Sequence, residues 1–243
     1  VGRKGQTPTR AAPHRDPFAG KSSRIVRVLL ENPKEWTLTQ IVEELAAESQ
    51  RNALRNWDFR ISLASASKTV RSLEEELLVR RRKSWILTPD PLRLLLRWAD
   101  TYARRRRSYQ RRSFRCPNPF GDRLRLVSEG LRGLIGEAGF AFTGAAAGAT
   151  RVPSIDRDAI ELYVEPSAAV RLRGLEDQAG VGLELRVFEP HDAGVFMYAV
   201  ENDGIPVVSA IQTCLDLFAR GGRDSKEAQL IIAKVIEPRW GRR

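Results

Sequence analysis

The segment 151–164, RVPSIDRDAIELYV, sets Asp156 and Asp158 two residues apart, with Glu161 in the apolar run that follows. On a strand, positions i and i+2 share a face, so two such carboxylates could chelate one Mg²⁺ against a triphosphate. Nucleotidyl-transfer enzymes pair that carboxylate set with a Gly-Ser-type turn. Here the turn is Thr143–Gly144–Ala145, without the serine. The aspartates also precede the apolar strand and stand near Pro153, where a surface loop with capping aspartates is expected. A nucleotidyltransferase-like enzyme using Asp156 and Asp158 is therefore an alternative, and the chain is expected not to be an enzyme.

Other catalytic or metal-binding constellations are thin. Cys116 and Cys214 stand far apart, and His14 and His191 have no ligand neighbour at metal-binding spacing. No catalytic residue, metal or cofactor is expected. Cys214 falls in an apolar helical pattern and reads as core. Unpaired cysteines suit a reducing, cytoplasmic setting. No apolar run is long enough for a membrane span, so no membrane partner is expected, and residues 1–19 read as a disordered basic tail without a secretory h-region.

The chemistry lies instead in positive charge. The 243 residues carry a net charge of +11. Residues 1–115 hold 26 Lys/Arg against 12 Asp/Glu, a net of +14, and the remainder a net of −3. Such asymmetry points to one half that meets a polyanion. Its densest runs are Arg80–Lys83 and the seven arginines between 104 and 115. The second run, Arg104 and Arg105 foremost, is expected to contact phosphate. The bland alternative is a solvated helix end.

The elements that must position these cations follow from periodicity. Ile25, Val28 and Leu29 mark one helix, which Pro33 follows. Trp36–Leu38 reads as a short extended piece, and Thr39 as the cap of a second helix carrying Ile41, Val42 and Leu45. Ala66, Val70, Leu73 and Leu77 form the apolar stripe of a third. This leaves Ala64, Ser65, Lys68, Arg71 and Ser72 facing outward. VRRRKSWILT then reads as two strands around a basic turn, with Trp85 and Leu87 anchoring the return strand. Asp90 caps a helix that opens at Pro91.

In the second half, 121–139 reads as an amphipathic helix, 159–166 as a strand and 167–180 as helical. Residues 183–190 and 193–200 read as strands. Two helices, broken at Gly221–Gly222, close the chain. The fold class is thus α+β: an N-terminal winged helix-turn-helix domain (20–102), a basic linker (103–118), and a C-terminal mixed α/β domain with a small sheet (119–243).

A winged helix-turn-helix suits double-stranded DNA. Its third helix fits the major groove, and its hairpin reaches backbone or minor groove. Ser65, Ser67, Lys68 and Arg71 fall on the reading helix, and Arg80, Arg81, Arg82 and Lys83 on the wing. Glu74–Glu76 turn away from the groove or pair with neighbouring arginines. The turn between the second and third helices departs from the usual three or four residues. Fifteen residues, 47–61, lie between Ala46 and Ser62. Within them Arg51, Arg55 and Arg60 could add phosphate contacts, whereas Trp57 and Phe59 are expected to pack. A winged-helix protein-interaction module without sequence-specific DNA binding remains the other alternative.

The stretches TLTQIVEEL, SASKTVRSLEEELLVRRR and ILTPDPLRLLLRWADTY resemble the winged-helix domain of the AbiEi-type antitoxins of type IV toxin–antitoxin systems. FAFTGAAAGA, IELYV and VVSAIQTCLDLFARGGRDSKEAQLI are similar to that family's C-terminal part, and the likeness covers most of residues 20–237. It implies a bacterial transcriptional repressor that binds operator repeats upstream of its own operon and counters a nucleotidyltransferase-like toxin. Its DNA contacts would fall on Ser65, Ser67, Lys68, Arg71, Arg81, Arg82 and Lys83. The C-terminal domain would serve interaction, whether with the toxin, the toxin's target or a second copy in a homodimer.

Overall fold

The computed structural model describes residues 16–52, 57–106, 110–116, 124–136, 139–155, 159–172 and 183–241. Asp156 and Asp158 lie outside them, as do residues 1–15. The fold is mixed α and β, with a two-stranded hairpin and a six-stranded sheet.

Helices α1 (Ser23–Glu31), α2 (Leu38–Arg51) and α3 (Leu63–Glu75) come first. Thr37, not Thr39, caps α2: its hydroxyl accepts from the Gln40 amide at 3.2 Å, and the Gln40 side chain accepts from the Thr37 amide at 2.9 Å. This reciprocal pair satisfies two otherwise orphaned donors. Strands β1 (Arg80–Arg82) and β2 (Trp85–Leu87) form the hairpin. Trp36 bridges to Ile86 through two backbone hydrogen bonds, of 2.9 and 2.6 Å, and so ties the hairpin back to the start of α2. Helix α4 (Pro91–Arg106) opens as expected, with Asp90 Oδ1 accepting from the Arg93 amide at 2.9 Å.

The described residues of the region expected as a linker, 103–106 and 110–116, belong to a helix and a strand. Its first residues are the last turn of α4, and β3 (Gln110–Cys116) is an edge strand of the large sheet, antiparallel to β6 (Leu183–Glu189). Repeated arginines masked an extended segment whose hydrogen-bonding partner lies some seventy residues on. Between β3 and β6 come α5 (Leu124–Ile135), β4 (Phe140–Thr143), α6 (Gly144–Ala149), β5 (Ile160–Val164) and α7 (Pro166–Arg171). After β6 come β7 (Val200–Asn202), β8 (Ile205–Val207), α8 (Ala210–Arg220), α9 (Arg223–Ile231), a π-helical turn (Ile232–Ile236) and α10 (Glu237–Trp240). The sheet order is β3-β6-β5-β4-β8-β7. The expected strand over 193–200 is largely a 3-10 turn, Ala193–Phe196: Asp192 Oδ1 accepts from the Gly194 amide at 2.7 Å and bends the chain.

The sheet has an apolar layer on each face. Phe142, Leu162, Leu185 and Val187 pack with α5, α6 and α7. Ala141, Tyr163 and Phe188, one residue out of phase, join the core shared with α1, α2, α3, α4 and α8. Period-two alternation thus turns alternate strand residues toward a core that α8 and α9 share with the N-terminal helices. Trp57 stacks on Phe196 with centroids 4.1 Å apart, and Phe59 is fully buried, so both pack as the sequence suggested. Cys214 is also fully buried, and burial pushes its thiol pKa up. Among the described residues no helix is long and apolar enough to cross a membrane.

A polar knot joins the two halves. Asp216 on α8 accepts from Tyr102 at 2.8 Å, Tyr163 at 2.6 Å, Gln212 at 2.8 Å and the Thr143 hydroxyl. Arg106, at the end of α4, pairs with Asp216 at 2.9 Å and Glu161 at 3.3 Å, and lies 4.3 Å over the Phe188 ring. Burial alone would lower the Arg106 pKa. The Asp216 charge, with the two tyrosines and Glu161, overcomes that and holds it well above its ordinary value.

Candidate nucleic-acid interface

Helix α3 begins at an Ser62 cap, whose hydroxyl accepts from the Ser65 amide at 3.2 Å. Its buried positions are Ala66, Thr69, Val70, Ser72 and Leu73. Ala64, Lys68 and Arg71 are exposed, and Ser65 and Ser67 half-buried. Ser72, expected outside, is buried because 72 and 73 flank the same core stripe one turn beyond Thr69.

Leu77 is the second departure. The helix ends before it: the Leu78 amide reaches back to the Leu73 carbonyl at 2.9 Å, and Leu77 takes φ 57°. This left-handed closing turn throws the Leu77 side chain into solvent, 73% exposed, and hands its expected burial to Leu78 and Val79.

The hairpin cations Arg80, Arg81, Arg82 and Lys83 are all exposed. Ile86, not Trp85 or Leu87, anchors the return strand at 1% exposure, while Trp85 is 40% exposed. Strand alternation explains this, since Ile86 lies on the face opposite Trp85 and Leu87, and that face is the buried one. Arg81 Nε stands 3.7 Å from Glu74, which links the end of α3 to the hairpin, and Glu76 pairs with Arg97 at 3.0 Å. Glutamates of this block thus pair with arginines.

Lys83 occupies the first position of the two-residue hairpin turn with φ 59°. Glycine is the residue that adopts this conformation without cost, and a side chain there carries roughly 1–2 kcal/mol of strain. If the exposed Lys83 charge contacts DNA, its strain is the cost of that contact. Lys83→Gly should therefore raise the urea midpoint slightly while weakening DNA binding, a split read by denaturation and fluorescence anisotropy on the same preparation. Loss of both together would mean that the lysine is structural.

A second feature lies at the start of α3. A cavity of about 420 Å³ is lined by Lys21, Ser22, Arg60, Ile61, Ser62, Ser65 and Thr69. Two cations and four hydroxyls beside the positive end of a helix suit a phosphate oxygen. Lys21 was not singled out in the sequence. Its signal is the GKSS stretch, whose glycine has φ 46° and whose turn runs into α1.

The other expected phosphate contacts divide. Arg60 is exposed but pairs with Asp58 at 2.8 Å, and Arg51 is taken by Glu44 and Glu48, each at 2.7 Å. Arg55 and Arg107 lie outside the described residues, as do the side chains of Arg111, Arg112 and Arg115. Arg104 is exposed, Arg105 pairs with Asp16, and Arg106 is the buried partner of Asp216. The run 104–107 is thus not one phosphate-facing patch. Helical geometry turns successive residues by about 100°, so consecutive arginines cannot share a face. Arg104→Ala should flatten the log–log salt dependence of DNA binding by about 0.9 if it neutralises one phosphate. An unchanged slope would place Arg104 outside the interface.

Glu161, from the carboxylate set, is 2% exposed and ringed by Arg106 at 3.3 Å, Arg220 at 3.6 Å and Arg186 at 3.8 Å. Gly144, at φ 56°, presses against it: a Cβ there would stand 2.4 Å from Glu161 Oε2. The carboxylate is thus occupied by cations of its own chain. Among the described residues no three His, Cys, Asp or Glu side chains cluster as metal ligands.

Comparison with family models, with curated proteins and with solved structures finds no match for this chain.

Proposed function

We propose that the chain is a sequence-specific double-stranded DNA-binding transcriptional regulator built on a winged helix-turn-helix, with α3 as the reading helix and the β1–β2 hairpin as the wing. One observation carries this reading. Two consecutive elements, α3 and the hairpin, present Lys68, Arg71 and Arg80–Lys83 to solvent, while the cavity at the α3 N-terminus adds Lys21 and Arg60. Exposed cations on a helix and an adjoining hairpin are what groove and backbone contact require.

Lys68 and Arg71, one turn apart on α3, are the base-reading candidates. Removing a side chain that reads a base should cost about 1–3 kcal/mol and relax preference at that position. Anisotropy titration of Arg71→Ala against a duplex from the gene's upstream region and a scrambled duplex tests this. A narrowed gap between the two duplexes supports α3 as the reader. A wild-type chain that binds both duplexes equally contradicts sequence specificity.

The AbiEi-type resemblance extends the proposal to a cytoplasmic, autorepressing antitoxin that opposes a nucleotidyltransferase-like toxin. A nucleotidyltransferase-like reading frame beside the gene should arrest growth when expressed alone, and co-expression of this chain should restore it. Arrest that persists with the chain present would leave a regulator without the antitoxin role.

A further inference from the structure

A second cavity, of about 490 Å³, lies between α1, α4 and the 193–196 turn, where the two halves of the chain meet. Its walls include Phe18, Trp98, Tyr102 and Val195, and its charged lining includes Lys21, Arg27 and Arg105. This size and mixture, a largely apolar wall with a few convergent polar groups, is that of a small-molecule site.

The observation that asks for a ligand is Arg27. It is 2% exposed. One guanidinium nitrogen donates to Gln212 Oε1, while Nε and Nη1 are buried with no hydrogen-bond acceptor among the described residues. The guanidinium lies 4.8 Å over the Trp98 ring, which spreads the charge but offers no lone pair. Glu31, one turn further along α1, is a buried carboxylate whose charge partly offsets that of Arg27, but its hydrogen bond is with Ser209. Asp192, the carboxylate in the cavity lining, is held by Arg24 at 2.7 Å. Two buried donors without acceptors remain costly unless a further acceptor reaches them.

We propose that this cavity binds a small organic anion, a carboxylate or phosphate monoester on an aromatic body. Its acidic group would meet Arg27 and Lys21, and its ring would lie along the wall of Phe18, Tyr102 and Val195. The site shares Lys21 with the cavity at the start of α3 but is otherwise separate from the exposed faces of α3 and the hairpin, and the inference does not depend on DNA binding.

Isothermal titration of the full chain, free of DNA, with adenosine monophosphate, salicylate and sulfate tests it and separates the two sources. Saturable binding by either organic anion, at least tenfold tighter than by sulfate, is expected. Arg27→Gln should weaken that binding tenfold or more. Lys21→Ala, at an exposed position that leaves the core intact, should weaken it several-fold. Thermal unfolding of each variant checks that it is folded. No saturable binding by either organic anion, sulfate binding as tightly, or affinity unchanged in folded Arg27→Gln and Lys21→Ala would each overturn the proposal.

Discussion

Replacing Arg81 and Arg82 together with alanine is expected to weaken binding to the operator duplex about thirtyfold at 0.15 M salt. Each phosphate neutralised contributes a slope of about 0.9 to the log–log salt dependence. If the electrostatic part vanishes near 1 M salt, each contact is worth about fivefold at 0.15 M, and the slope flattens by about 1.8 for the pair. Both arginines are exposed on a three-residue strand, so the loss carries little folding cost. Arg81 already lies 3.7 Å from Glu74, at the surface. Exposed pairs of this kind contribute about 0–1 kcal/mol, so phosphate can displace the glutamate readily. Glu75→Gln is the matched control, and its affinity should stay within about twofold of wild type, a surface change of a few tenths of a kcal/mol. A double variant that binds with the same slope as wild type would take the hairpin out of the interface.

The second large effect concerns the joint between the halves. Asp216→Ala should destabilise the protein by about 3–5 kcal/mol, because it strands the buried Arg106 cation. It also removes the acceptor for Tyr102, Tyr163, Gln212 and Thr143. The urea midpoint should fall by about 1 M or more. Combining Asp216→Ala with Arg106→Met should recover part of the loss, since the uncompensated charge goes with the arginine. A single variant within about 1 kcal/mol of wild type, or a double variant worse than the sum of the two singles, would show that the knot is not what joins the halves.

Both predictions bear on what could be read from sequence. The α3 stripe, the basic hairpin, the Asp90–Pro91 opening of α4 and the break at Gly221–Gly222 are local patterns, and each is present in the structure. Leu77 was misplaced because the apolar period continues through it, while the backbone reverses in a left-handed turn that residue type did not signal. Arg106 was misplaced more deeply. As one arginine in a run of four it reads as a phosphate contact or, failing that, a solvated helix end. Its partners Glu161 and Asp216 lie 55 and 110 residues away, on strands and helices whose faces become known only once the sheet is assembled. The same holds for Arg24 and Arg27, which look like the polar side of α1 and are 4% and 2% exposed. The helices of the N-terminal half carry charge on two sides: one side faces solvent, and the other is spent on the C-terminal half. Net charge alone therefore overstated how many arginines are free to meet phosphate.

If the exposed cations of α3 and the hairpin are a surface for specific DNA, the chain protects a discrete site. Protection footprinting of the full chain on the region upstream of its own gene tests that most directly, run beside Lys68→Ala/Arg71→Ala. A discrete protected site that the double variant loses, while retaining its wild-type unfolding midpoint, is the predicted result. Uniform or absent protection by the wild-type chain at salt low enough to retain binding would contradict it.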